Sequence, residues 1–354
     1  MFRQVSAGAY HTCGVTEDDL AYCWGEAGLG ALGTGRTGGI EVHPVRVAGG
    51  HRFQSVNAGA SYTCGITTDR LAYCWGVNSS GELGDGTTTI RFAPVRVAGT
   101  RKFRVLRAGY RHTCGVTTSN VAFCWGFNGD GAVGDGTTTN RTRPVRVAGG
   151  LSFTQARAGG NHSCGWTTAG KAYCWGQNSY GELGDGTLTR RLSPVAVAGG
   201  HTFAQVSPGG GHTCGATTDH KAYCWGRNEH FELGDGTQTR RLRPTAVIAN
   251  GLRFDALAVG VFHSCALATD DRAYCWGDNA VGSLGDGSFG TRTTPWPVTG
   301  GRRFGAISVG AVGRHSCGVT GAGVAFCWGW NSSGELGDGT QTDRPMPVKV
   351  LGPT

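Results

Sequence analysis

The sequence predicts an all-β chain, a seven-bladed β-propeller with four antiparallel strands per blade. Three observations carry the prediction. A fifteen-residue stretch, YTCGITTDRLAYCWG at Tyr62–Gly76, has six near-copies, among them HTCGVTEDDLAYCWG from His11 and HSCGVTGAGVAFCWG from His315, always with two cysteines ten positions apart. The phenylalanines that open the units, Phe2, Phe53, Phe103, Phe153, Phe203, Phe254 and Phe304, stand 50 or 51 residues apart, so seven units fill one domain, 1–354, without a linker. Each unit carries four short strand-like runs bounded by turn residues, and no segment has a helical period of useful length.

In the second unit the runs are FQSVNAG, YTCGIT, LAYCWG and PVRVAG. A hairpin turning at Thr67–Arg70 sets Cys64 opposite Cys74, Gly65 opposite Tyr73 and Thr63 opposite Trp75. Side chains alternate across a strand, so one face carries both cysteines with Ile66 and Ala72. The other carries Tyr73 and Trp75, with Gly65 and Thr63 leaving room for the rings. The tryptophan recurs in every unit as Trp24, Trp75, Trp125, Trp175, Trp225, Trp276 and Trp328. Each aromatic face is expected to fill against the cysteine face of the next blade. The run PVxV leads through a short turn into the next phenylalanine strand, and the two are expected to pair as a hairpin. The last unit ends on a spare copy, Pro347–Val350, and the first unit has none before Phe2. The N- and C-terminal strands are therefore expected to share the first blade and close the ring.

The stretch GYRHTCGVTTSNVAFCWGFNGDGAVGDGTTTNRTRP, Gly109–Pro144, resembles the repeat of the regulator of chromosome condensation (RCC1-like) family, in a cysteine-paired, bacterial-type variant. The likeness returns seven times, and what it implies is a seven-bladed propeller closed by strands from both termini. The first unit departs most: EAGLGALGTG at Glu26–Gly35 lacks the usual Asn and Asp, so its loop is expected to differ in shape.

The fourteen cysteines form seven pairs with none left over: Cys13 with Cys23, Cys64 with Cys74, Cys114 with Cys124, Cys164 with Cys174, Cys214 with Cys224, Cys265 with Cys275 and Cys317 with Cys327. Three readings compete. The favoured one is an intrablade disulfide between directly opposed residues, as suits an exported protein. The second is a pair of free, buried apolar cysteines in a reducing cytosol. The third is metal binding with the nearby histidine, but the hairpin offers at most three ligands, and a structural zinc site normally takes four. No metal or cofactor is expected.

Histidine recurs at His11, His112, His162, His212, His263 and His315, with Tyr62 in the second unit. Six equivalent copies argue for a structural role, because an active site needs one asymmetric constellation. The repeated Asp85, Asp135, Asp185, Asp235, Asp286 and Asp338 precede glycine in turns, with calcium as a weaker alternative. No Walker motif, nucleophile elbow or unrepeated carboxylate pair occurs, so no enzyme is expected.

Function is then sought where the units disagree. Residues before the histidine and residues after Trp-Gly should emerge at the same end of each blade. They offer Tyr10, Arg111, Asn161, Phe262 and Arg314, and Phe127, Tyr180, Arg227, His230, Phe231 and Trp330. Arg314 lies in GAVGRH, an expansion unique to the last unit. Arginine and aromatic residues dominate binding hot spots, and the resemblance implies such a face for holding a partner protein. Relatives of this type include a propeller that inhibits β-lactamases, although no motif here singles out that role. A second feature is an arginine belt, Arg91, Arg141, Arg143, Arg190, Arg191, Arg240, Arg241, Arg243, Arg292 and Arg344, which either pairs with loop aspartates or meets an anionic surface.

The net charge of +8 favours acidic partners but falls short of a nucleic-acid-binding tail. No recognition helix or aromatic-interleaved basic strand points to specific nucleic-acid readout, and no apolar run approaches a membrane span. Met1 runs straight into the first unit, so the protein is either cytoplasmic or lacks a removed leader. The expectation is a monomeric, non-enzymatic binding propeller, secreted, periplasmic or on the cell surface. The alternatives are a guanine-nucleotide exchange factor for a small GTPase, which the resemblance implies, or a binder of polysaccharide, membrane or nucleic acid through the belt.

Overall fold

Blade two shows how one unit becomes a sheet. Phe53–Ala58, Tyr62–Thr67, Ala72–Gly76 and Arg91–Arg96 pair in chain order, all antiparallel. Cys64 faces Cys74, Gly65 faces Tyr73 and Thr63 faces Trp75, the expected register. The fourth strand starts at Arg91, three residues before the expected PVRVAG, because Gly76 pairs with Arg91 across a bulge. In the computed structural model, which describes residues 1–352, seven such sheets form the chain; Pro353 and Thr354 of the expected 1–354 unit lie outside the described residues.

Adjacent blades pack large against small. Cys64, Ile66, Ala72 and Cys74 of blade two form one core with Phe103, Leu106 and Trp125 of blade three. Gly65 has a different use from the one expected: a Cβ there would lie 2.6 Å from the Phe53 ring of its own blade, which crosses it to meet Trp75 at 5.6 Å.

All seven cysteine pairs are disulfides, one within each blade. Cys13 bonds Cys23, Cys64 bonds Cys74, Cys114 bonds Cys124 and Cys164 bonds Cys174. In the later blades Cys214 bonds Cys224, Cys265 bonds Cys275 and Cys317 bonds Cys327. Their Cα atoms stand 4.0–4.2 Å apart, buried at the seams between blades. This result overturns the free-thiol and metal readings.

The histidines tie blade to blade. His11 Nε2 meets Thr63 Oγ1 at 2.7 Å, His112 meets Ser163 at 2.8 Å, and the pattern runs on to His315 and Thr12 at 2.7 Å. Thr63 Oγ1 donates its one proton to the Ala31 carbonyl (2.9 Å), as Thr12 does to Glu335 (2.8 Å). The hydroxyl must therefore accept from an Nε2–H, which sets the tautomer of the neutral ring. Burial agrees, lowering His11, His112 and His263 to about 4 and His162 and His315 to about 3. The same carbonyls accept tryptophan Nε1, as Ala31 does from Trp75 at 2.8 Å. In blade two, Tyr62 reaches further, donating to the His112 carbonyl at 2.5 Å.

The closure of the ring differs in kind from the expected strand exchange. Each PVxV run bonds the third strand of its own unit, as Val45 does opposite Cys23, and each phenylalanine strand bonds its own second strand. The turn between them carries the chain to the next blade, so no hairpin forms and the C-terminal strand stays in blade seven. Blade seven meets blade one by packing, with Phe2 and Trp24 among Cys317, Cys327 and Leu336. The Gly339 N–H donates to the Val42 carbonyl at 3.1 Å, the counterpart of Gly86 to Thr142 at 2.8 Å. Proline on the outer strands, such as Pro94 and Pro144, blunts the exposed edges.

Candidate functional site

The turns between first and second strands and the long loops after the third strand emerge at one end of every blade. Backbone bonds join them: Glu26 N–H to Tyr10 O (2.8 Å), Phe127 to Arg111 (2.8 Å), Gln177 to Asn161 (3.0 Å) and Trp330 to Arg314 (3.2 Å).

Six of the eleven candidate residues meet over blades four to seven. The Arg227 guanidinium lies 4.6 Å from the Phe262 ring centroid and 6.0 Å from Tyr180. Arg314 stands 5.6 Å from both Phe262 and Trp330, and His230 sets its ring against Phe262 at 4.8 Å. Phe262 is thus the hub, with cation–π contacts from two blades. Carboxylates that sequence reasoning passed over hold the arginines in place. Glu232 Oε1 accepts from Arg227 Nε at 2.9 Å, and Asp278 faces Arg314 at 3.3 Å. Arg227 also donates to the Val261 carbonyl. The signal for Glu232 was a glutamate before Leu-Gly in units two, four, five and seven; Asp278 had none.

The remaining candidates fall elsewhere. Arg111 covers Phe127 at 4.9 Å and bonds Ser80 Oγ at 2.8 Å, a separate pair at the seam of blades two and three. Tyr10 is exposed on blade one, and Asn161 holds the equivalent turn of blade four. Phe231 occupies a position that is glycine in every other unit, at φ +62° in the left-handed region. A Cβ on its counterpart Gly81 would lie 2.7 Å from Thr142 Cα of the next blade. Blade six yields to Phe231: Gly236 N to Thr293 O is 3.3 Å, against 2.9 Å for Gly186 to Leu242.

The arginine belt divides in two. Arg91, Arg141, Arg191, Arg241, Arg292 and Arg344 pair with Asp85, Asp135, Asp185, Asp235, Asp286 and Asp338 of their own loops at 2.6–2.9 Å. Burial alone would raise the Asp85 carboxyl, but bonds from Thr87 and Arg91 outweigh it and hold it below its ordinary value. With Thr87 N–H and Oγ1 on Oδ1 and Arg91 on Oδ2, the carboxylate is spent inside the loop. Among the described residues no group of three or more His, Cys, Asp or Glu gathers as a metal site. Arg143, Arg190, Arg240 and Arg243 are the remainder of the belt. Blade one has Thr34 and Glu41 where others have the Asp and Arg. Its fourth strand starts early, with Ile40 paired to Glu26, so the loop does differ as expected.

Among the buried glutamates, burial raises Glu82 and Glu182, and pushes Glu335 up to about 7. Glu335 Oε2 accepts from Ser333 N–H at 2.8 Å, whereas Oε1, like Oε1 of Glu82, has no hydrogen-bond partner among the described residues.

Two models of the regulator of chromosome condensation (RCC1) repeat match, one over residues 2–30, 53–82, 106–132, 153–182, 203–232 and 254–283, the other over 18–66, 71–116, 120–166, 169–216, 219–267 and 322–354. The chain is 33% identical over 102 residues to the ultraviolet-B receptor UVR8 of Arabidopsis thaliana, 28% of this chain and 23% of that one. It is 35% identical over 95 residues to the human probable E3 ubiquitin-protein ligase HERC3, 27% of this chain and 9% of the ligase. The matched stretches thus span under a quarter of these relatives. Yeast RCC1 (Prp20), solved bound to Kap60, superposes with a TM-score of 0.85 at 19% identity, over 96% of this chain and 85% of that one. Human WBSCR16 gives 0.80 at 18%, over 88% and 84%. At such identities the likeness is one of fold. No helix among the described residues is long and apolar enough to cross a membrane.

Proposed function

Because the chain belongs to the RCC1 repeat family, we propose that it is a non-enzymatic binding propeller whose end face over blades four to seven holds a partner protein. One observation carries the reading. Tyr180, Arg227, His230, Phe262, Arg314 and Trp330 form a connected aromatic and guanidinium cluster with no equal among the described residues. Rings and arginines already held in place bind with little ordering cost. Its relatives of like fold include Prp20p, examined for its binding to Gsp1p and histones, which supports a partner role for the family's propellers. Seven buried disulfides support an oxidising compartment, so the partner is sought outside the cytosol.

The test is quantitative capture from the secreted fraction of the source organism. Immobilised wild-type protein is compared with Phe262→Ala/Trp330→Ala and with Arg143→Ala, which lies away from the cluster. A protein retained by wild type and Arg143→Ala, and at least tenfold less by the double variant, is expected. It should then bind purified wild type in solution. Equal retention by all three would remove the end face from consideration. A nucleotide-exchange role rests on the family's namesake alone and draws on no residue of this face.

A further inference from the structure

The first strands of the seven blades line the central axis and enclose a cavity of about 440 Å³. At one ring position the units carry Ser6, Asn57, Arg107, Arg157, Ser207, Ala258 and Ser308. Where that residue is short and polar it stitches the seam. Ser6 Oγ accepts from the Ala58 N–H of the next blade (3.0 Å), Asn57 Oδ1 from Ala108 (2.5 Å), and Ser308 Oγ from Ala7 (3.0 Å). Arginine cannot accept a hydrogen bond, so Arg107 and Arg157 have given up this role. After Arg157 the next blade carries Pro208, which has no N–H to satisfy.

Neither guanidinium has an anionic partner among the described residues. Arg107 donates to the Leu106 carbonyl (3.0 Å), and Arg157 to Gln155 Oε1 (3.2 Å) and Ser207 Oγ (3.4 Å). Asp255, the carboxylate that also borders the cavity, is taken by His220 at 2.7 Å. Burial disfavours the charge on both arginines, and the charge of Arg107 disfavours that of Arg157 further. Two like charges on adjacent blades, half-buried and with no carboxylate beside them, cost the fold stability unless something neutralises them. Across the ring, blades six and seven line the cavity mainly with small and aliphatic residues such as Ala256, Ala258, Ala306 and Ile307, and their one carboxylate there is Asp255.

We propose that the central channel is a binding site for a small oxyanion of the phosphate or phosphomonoester class, held between Arg107 and Arg157. Two planar guanidiniums match a dianion in charge and in paired N–H···O geometry. Gln155 and Ser207 add neutral donors, and Trp166, 5.6 Å from the Arg157 guanidinium, walls the site. The alanines opposite leave room for the slim body of a monoester. The site is independent of the end face.

The probes are inorganic phosphate and phenyl phosphate, titrated calorimetrically at constant ionic strength with chloride as the background ion. Saturable binding to wild type is expected, weakened at least tenfold in Arg107→Gln/Arg157→Gln and unchanged in Arg143→Gln. Tighter binding of phenyl phosphate assigns the site to a monoester; equal or weaker binding assigns it to free phosphate. Without ligand, the double variant should melt no lower than wild type, whereas structural arginines would make it melt lower. Protection of wild type needs no variant: phosphate should shield Arg107 and Arg157, and not Arg143 or Arg240, from phenylglyoxal, as mapped by peptide mass. Absence of saturable binding, equal affinity in the double variant, or no selective protection would overturn the proposal.

Discussion

At the seams between blades the same contacts return around the ring: a disulfide in every blade, a tryptophan donating to a loop carbonyl in all but blade seven, and a histidine bonded to the hydroxyl of the next blade in all but blade two. Over the end face of blades four to seven the backbone bonds return but the side chains change from blade to blade, and only the Arg314–Trp330 pair has a counterpart, Arg111 with Phe127 in blade three. Arg227, Phe262, Arg314 and Trp330 are each the only one of their kind at their ring position or pair with a neighbour that is. The seams are therefore held by the sum of many equivalent contacts, and loss of one face residue leaves that sum intact. Changes at the seams should move stability, and changes on the face should move binding.

The largest separation of the two regions should come from the disulfides. Each closes a short hairpin loop worth roughly 2–3 kcal/mol on the chain-entropy model. Cys164→Ala with Cys174→Ala should lower the unfolding free energy from guanidinium titration by an amount of that order, whereas Phe262→Ala/Trp330→Ala should change it by less than about 1 kcal/mol. In native protein made under oxidising conditions and then denatured, no cysteine should alkylate before reductant is added. Alkylation of all fourteen at that stage would dissolve the contrast and remove the support for an exported protein.

Acid should act at the seams next. An unfolded histidine titrates near 6.5, whereas the buried ones titrate at about 4 or about 3. Between those values the unfolded chain binds more protons, so stability is complete above pH 6.5 and is lost as pH falls toward 4. Each histidine contributes up to about 1.4 kcal/mol per pH unit. Glu335 opposes this: raised to about 7, it makes the folded state bind more protons between pH 4.5 and 7, so its share of stability falls as pH rises through that range. Glu82 and Glu182, also raised by burial, act in the same direction, but six lowered histidines outnumber the three glutamates, and melting temperatures should fall from pH 7 to pH 4.5. The His162→Gln variant should show a shallower fall; an unchanged slope would take the seam histidines out of the account.

Much of the seam was legible because seven copies report the same constraint. The Cys64–Cys74 register follows from period two and a four-residue turn, and the cysteine-to-tryptophan stacking follows from large facing small. Strand partnership between units was not legible. A short Ala-Gly-Gly turn after PVxV looks like a hairpin, and only the competing bonds of Val45 to its own third strand decide against it. On the face, residues were chosen for departing from the repeat, and those from neighbouring blades did converge on Phe262. Their carboxylates, Glu232 and Asp278, escaped because one belongs to a shared motif and the other sits singly in a loop. The arginines of the channel escaped for another reason: alternation places Arg107 and Arg157 on one side of a strand, but nothing local says that this side lines the axis.

Phe231 belongs to both regions and yields the smallest but most discriminating test. It breaks the glycine rule of the seam, holding φ +62° where a side chain costs about 1–2 kcal/mol, and it lengthens the Gly236–Thr293 bond to the next blade. Natural selection keeps such strain where a site gains from it. Phe231→Gly restores the repeat, and the relief is partly offset by glycine's greater entropy in the unfolded chain. The variant should gain up to about 1 kcal/mol by denaturant titration and lose affinity for the captured partner. A gain in stability with binding unchanged would mark Phe231 as tolerated strain and confine the site to the Phe262 cluster. A loss of stability would mean that the ring packs the seam after all, and the division drawn between seam and face would fail at blade five.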